Sequence, residues 1–171
     1  MRNFLFSLLF AIIFIPVNGT AQNMNPEKLK AVITQVSDTL QQQGNSIQFL
    51  YKEHMLVCVY DESANRMRII SPIVKREEIG EEELLNALVA NFHSALDVKY
   101  ALSDEIIWSC FIHPLAELSE HQLKDAIDQV YAASATFGST YSSTALVFPG
   151  NTQKNDEDTG PKIISKEKIK D

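Results

Sequence analysis

The chain has 171 residues, 45% of them hydrophobic and 22% charged, with Gly 6 and Pro 6. That composition excludes wholesale disorder, a collagen-like repeat and a coiled coil, and the length allows one domain or two. Lys and Arg number 15 against 22 Asp and Glu, a net charge of −7, which argues against nucleic-acid binding driven by phosphate neutralisation. Two cysteines are too few for a disulfide scaffold or a four-cysteine zinc site.

Arg2 precedes a nearly unbroken apolar run from Phe4 to Val17, and Gly19-Thr20-Ala21 follow ahead of Gln22. This is the layout of a secretory signal peptide over residues 1–21. The run is shorter than the roughly 20 residues a membrane helix needs. Cleavage leaves a chain of about 150 residues, which buries about 68–70% of its unfolded surface. No later apolar run has membrane length, so the expectation is a soluble exported protein, periplasmic or secreted.

Asn25-Pro26-Glu27 opens a first helix, with Asn as cap, Pro at the first helical position and an acid in the first turn. Leu29, Val32, Ile33, Val36 and Leu40 continue at helical spacing, which predicts a helix running to Gly44. Three strands are predicted next: one carrying Ile47, Phe49 and Tyr51; one from Met55 to Tyr60, apolar on both faces as in a strand covered on both sides; and one from Arg66 to Ser71, stopped by Pro72. Glu81-Glu82-Glu83 begin a second helix, favoured by its dipole. Leu84, Leu85, Leu88, Val89, Phe92 and Ala95 are predicted to form its buried stripe.

A hairpin follows, from Lys99 to Leu102 and from Ile106 to His113, the latter again apolar on both faces. Ser119 and Gln122 have capping-box spacing, flanked by Leu118 and Leu123 as a hydrophobic staple. They start a third helix with Gly138 at its end. Thr144 to Phe148 reads either as a short strand or as linker. From Pro149 on, the chain is polar and charged and reads as disordered. The predicted fold class is α+β: a single domain over residues 22–140, ordered α-β-β-β-α-β-β-α, with an antiparallel sheet and helices packed on it. Residues 141–171 are read as linker and tail.

Certain residues carry a likeness beyond this order. They are Arg66-Met67-Arg68-Ile69-Ile70-Ser71-Pro72-Ile73; Asn91-Phe92 through Leu96-Asp97; Lys99-Tyr100-Ala101-Leu102; Trp108; His113-Pro114-Leu115 with Leu118; and Phe137-Gly138. Over residues 25–140 the chain resembles YbjN-type domains and the class I type III secretion chaperones. The resemblance implies helices on an antiparallel sheet, often in a homodimer, with extended segments of partner proteins held on apolar patches. Those chaperones act in the cytosol, whereas this chain carries a secretion signal.

Residues that could carry chemistry have plainer readings. His54, His93, His113 and His121 include no pair at i, i+4 spacing, and a zinc site needs three or four converging ligands; no metal and no cofactor is expected. Cys58 and Cys110 lie in apolar strands, where a thiol is mainly a small hydrophobe, although an oxidising compartment would permit a disulfide at suitable Cα spacing. Glu77-Glu78 and Glu81-Glu82-Glu83 read as a solvated helix start, Arg66, Arg68, Lys75 and Arg76 as the solvent side of a strand, and Ser139, Ser142 and Ser143 as linker. The resulting expectation is an exported, non-catalytic, chaperone-like domain that binds a protein or peptide, with Phe49, Tyr51 and Tyr100 as exposed aromatic contacts. The alternative is a hydrolase assembled from His113, Asp104 and Ser109.

Overall fold

The computed structural model describes residues 23–146. The signal-peptide reading and the polar tail lie outside the described residues. Helix α1 spans Pro26–Val36, and the Asn25 side chain accepts the Lys28 N–H at 2.9 Å, as the cap spacing predicted. The strands are β1 (Thr39–Gln43), β2 (Ser46–Tyr51), β3 (His54–Asp61), β4 (Arg66–Lys75), β5 (Lys99–Ser103) and β6 (Ile106–His113). A 3-10 turn at Arg76–Glu78 leads to α2 (Glu81–His93), and α3 (Glu120–Ala135) follows β6. The fold is α+β as predicted, with three helices and one six-stranded antiparallel sheet in the order β1-β2-β3-β4-β6-β5.

The predicted elements occur in their predicted order, with one strand added. Helix α1 stops at Val36 because Ser37 is extended, and Thr39–Gln43 forms β1 instead of a last helical turn. Leu40 falls one helical step beyond Val36, so its spacing imitates a helix while it pairs with Phe49. Gly44, at φ 57, is the first of two turn residues between β1 and β2, the place where a II′ turn wants glycine. Strand β4 also runs past Pro72 to Lys75. The register between β3 and β4 extends from Asp61↔Arg66 to Val57↔Ile70, so Pro72 interrupts none of those pairs.

The contacts divide the chain into two compact units. One contains residues up to Ile70 with Phe111–Ile127. In it α1 packs on β2 and buries Leu29, Val32 and Ile33 completely or nearly so. The register Ile47↔Cys58↔Ile69 puts three buried side chains in one row across β2, β3 and β4. Asn65, at φ 50, joins this sheet to the segment before α3: its side chain accepts the Ala116 N–H at 2.8 Å and donates to Glu117 at 2.9 Å. Ser119 and Gln122 make the predicted capping box, with reciprocal bonds of 3.0 and 3.1 Å, and Leu118 and Leu123 are fully buried beside it.

The other unit contains Ser71–Cys110 and residues from Asp128 on. Here α2 packs on β5. Ser109 Oγ donates to the Val130 carbonyl at 2.9 Å, and Tyr100 Oη donates to the Ala133 carbonyl at 2.9 Å. Tyr100, Phe137 and Tyr141 meet edge to face, with ring centroids 5.1–6.0 Å apart. Thr144–Leu146 is bend and coil, with no strand among these described residues.

Neither β3 nor β6 is covered on both faces. Leu56, Cys58 and Tyr60 are buried, while their neighbours Val57 and Val59 are half-buried and Met55 is exposed. On β6, Ile107, Ser109 and Phe111 are buried, Trp108 and Cys110 are half-buried, and Ile112 is exposed. Both strands are interior in the sheet order, as expected of a central strand, but an antiparallel sheet needs cover on only one face, so their two-sided apolar character does not bring cover on both.

Candidate functional site

Helix α2 starts at Gly80, whose N–H is accepted by the Glu83 carboxylate at 3.0 Å. Glu81, Glu82 and Glu83 occupy its first turn, where carboxylates suit the helix dipole. The stripe predicted to be buried is turned outward. Leu85, Leu88, Val89 and Phe92 are 62%, 63%, 58% and 76% exposed, and the residues buried on this helix are Ala87 and Ala90. Of the six residues assigned to that stripe, Ala95 alone is buried, and Leu84 is half-buried. Two alanines let the helix backbone approach the sheet closely, and the bulky residues then take the other side. The outward four are spaced i, i+3, i+4 and i+7, one continuous helical face.

The helix is anchored at both its inner face and its end. The Asn91 amide accepts the Tyr100 N–H at 2.7 Å and donates to the Tyr100 carbonyl at 3.2 Å, satisfying both backbone groups of an edge-strand residue. Past the helix end, Ser94 Oγ donates to the Tyr141 carbonyl at 2.7 Å and Ser143 Oγ to the Ala95 carbonyl at 2.8 Å. The serines read as linker therefore belong partly to the packing: Ser143 is buried. Between α2 and β5 lies a groove of about 150 Å³, lined by Leu84, Ala87, Leu88, Ala101, Leu102 and Ile107 among others. Leu102 shares its sheet face with the buried Ile107 yet is 53% exposed, because β5 is an edge strand with no further strand beyond it. The acidic residues Glu77, Asp104 and Glu105 line a second hollow with Lys75 and Ile106.

The three aromatic residues chosen from sequence are distributed differently. Phe49 is 2% exposed, on the side of β2 that carries the buried Ile47. Tyr100 is 7% exposed, its hydroxyl tied to Ala133, and burial pushes its phenol up to about 12. Tyr51 keeps partial exposure, with the Lys52 ammonium 4.8 Å above its ring. Exposure, the ground on which they were chosen, thus holds only in part and only at Tyr51.

The residues of the hydrolase alternative are each engaged elsewhere. Ser109 is fully buried with its hydroxyl on Val130, His113 Nδ1 donates to the Pro114 carbonyl at 2.7 Å, and Asp104 accepts from Ser103 Oγ at 3.0 Å. His113 also stacks on Phe111, as suits a strand-end residue. His54 Nδ1 bonds the Lys52 carbonyl across the turn. No group of three or more potential metal ligands occurs among the described residues. Cys58 and Cys110 are not bridged, and burial pushes the Cys58 thiol up to about 12, which suppresses the reactive thiolate. No helix among the described residues is long and apolar enough to cross a membrane.

No protein-family model matches the chain, and no curated protein matches it. Among solved structures, it is similar to a chain of the HopA1-SchA chaperone-effector complex, with a TM-score of 0.51 and 14% identity over 64% of this chain and 88% of that one. At that identity the likeness is one of fold: the chain has the architecture of a protein solved within a chaperone–effector complex.

Proposed function

We propose that this chain is an exported, chaperone-like protein-binding domain in which the outward face of α2 and the groove beside β5 hold an apolar segment of a partner protein. The observation that carries this reading is the stripe Leu85, Leu88, Val89 and Phe92, exposed on a helix that is itself firmly anchored. Exposed contiguous apolar surface marks interaction sites, and each such side chain contributes about 1.5–3 kcal/mol when fully buried. The fold likeness to a chain from a chaperone–effector complex supports the same reading. The sequence resemblance to YbjN-type domains agrees with it, and the signal-like N-terminal residues support export. A second reading is a homodimer: four large apolar residues at i, i+3, i+4 and i+7 can pack against the same face of another copy.

The test is a crosslinked pull-down from envelope and culture extracts, comparing the wild-type chain with Leu88→Asp/Phe92→Asp. A single protein recovered near one-to-one with the wild type, and lost with the variant, is the expected result. Equal recovery by both would refute the assignment of this surface. Self-crosslinks alone, lost in the variant, would establish the homodimer in place of a client.

A further inference from the structure

We propose that the C-terminal segment 161–171 of this same chain docks in the groove between α2 and β5 and shields it until a partner displaces it. The proposal rests on the reading of that groove as a binding site and names what regulates it.

The groove has an apolar floor, and the helix and strand that form it carry carboxylates at their ends. Leu84, Leu88, Leu102 and Ile107 line the floor. Its volume of about 150 Å³ equals that of an apolar cavity known to accept a benzene ring, so one branched aliphatic side chain fits. Glu81 lies three and seven residues before Leu84 and Leu88, on the same face of α2. At the turn between β5 and β6, Asp104 and Glu105 follow Leu102 closely, and the Arg76 N–H bonds the Glu105 carbonyl at 2.8 Å, holding the turn against the Glu77 segment. Lys75 is the one cation lining that hollow, and it is already 3.7 Å from Glu77.

The chain's own end has the complementary chemistry. Residues 161–171 place Ile163, Ile164 and Ile169 among Lys162, Lys166, Lys168 and Lys170, with Glu167 and Asp171 as the two acids. This cationic apolar segment belongs to a chain of net charge −7 and follows the acidic run Asp156-Glu157-Asp158, so positive charge is concentrated in the last residues. The linker is long enough. Leu146, the last described residue, belongs to the same unit as the groove. About 17 residues from there to Ile163 reach up to roughly 55–60 Å, against a radius of gyration of about 13 Å for a 100-residue domain. A tether of that kind supplies the segment at an effective concentration in the millimolar range, where a weak contact suffices.

Hydrogen exchange on the full chain tests the proposal, against the chain ended at Gly160 and against Ile163→Asp/Ile164→Asp. Amides of residues 84–92 and 99–103 should exchange about tenfold more slowly in the full chain, as expected when the effective concentration exceeds the segment's dissociation constant about tenfold. The protection should weaken at about 1 M salt, where charge attraction is screened within about 3 Å, and it should survive dilution. Equal exchange in all three chains would overturn the proposal, and so would protection that disappears on dilution, because a second copy would then supply the segment. No partner is present in this experiment, so failure to find a client leaves its result intact, and absence of protection leaves the client reading to its own pull-down.

Discussion

Helices α1 and α2 look alike in sequence and do opposite things. Each has a capped start, an acidic first turn and a full apolar stripe, and each packs on a strand of the sheet. Helix α1 turns its stripe inward, with Leu29 and Ile33 fully buried, whereas α2 turns alanines inward and shows Leu88 and Phe92 to solvent. An apolar stripe is therefore a surface in search of a partner, and the partner need not be the protein's own core. The difference lies on the opposite side of each helix: α2 has Ala87 and Ala90 available for a close approach to the sheet, and α1 has Lys and Gln where a second apolar face would be.

Substitution gives the largest contrast between them. Ile33→Ala should cost about 2–5 kcal/mol, the usual range for emptying a core site, whereas Leu88→Ala should stay within about 0.5 kcal/mol, as for a surface change. Urea unfolding of both variants measures this, and a multi-kcal/mol loss at Leu88 would show that the α2 stripe is structural after all. A smaller effect is expected at the anchor of α2. Asn91→Ala leaves the Tyr100 N–H and carbonyl without the amide that bonds both, and should cost about 1–3 kcal/mol. Asn91→Asp keeps the acceptor for the N–H and should recover part of the loss in the same unfolding assay.

The smallest effect is an acid-range pH dependence from two carboxyls of the unit that contains α1. Ser63 and the Ala64 N–H bond the Asp61 carboxylate, and the Asn65 amide bonds Glu117, so both carboxyls are held below their ordinary values of 3.8 and 4.5. A carboxyl lowered in the folded state contributes stability that is complete above its ordinary value and is lost as pH falls through the lowered one. Both groups are fully exposed, so the loss should be slight. Unfolding midpoints at about pH 6 and about pH 3 should diverge less in Asp61→Asn than in the wild type. An unchanged difference would show that Asp61 contributes nothing.

The local signals in the sequence were legible wherever one residue's chemistry determines the structure. Asn25 and the Ser119–Gln122 pair cap their helices because a side-chain oxygen three residues from a bare N–H has few better partners. Orientation was not legible. Periodicity groups Leu85, Leu88, Val89 and Phe92 on one face and puts Ile47 with Phe49 on another, but it does not say which face meets solvent. Leu40 shows a second limit: a helical interval and a half-buried strand position coincided, and the extended Ser37 decided between them. The groove beside β5 joins residues about 20 apart in sequence, a placement no local pattern encodes.

The turns described above also bear on how the chain assembles. Lys52 with Glu53, and Asp104 with Glu105, all sit at positive φ between directly paired strands, as two-residue I′ turns require. Strands β1 to β4 succeed one another both in the chain and in the sheet, while β5 reaches its edge position only through β6. Hairpins form in about 1–10 μs and near-neighbour contacts form fastest, so the run from β1 to β4 should be the early template on which later pairing waits. The slowest step would then be β4–β6 pairing, and the unit that carries α2 would be completed last.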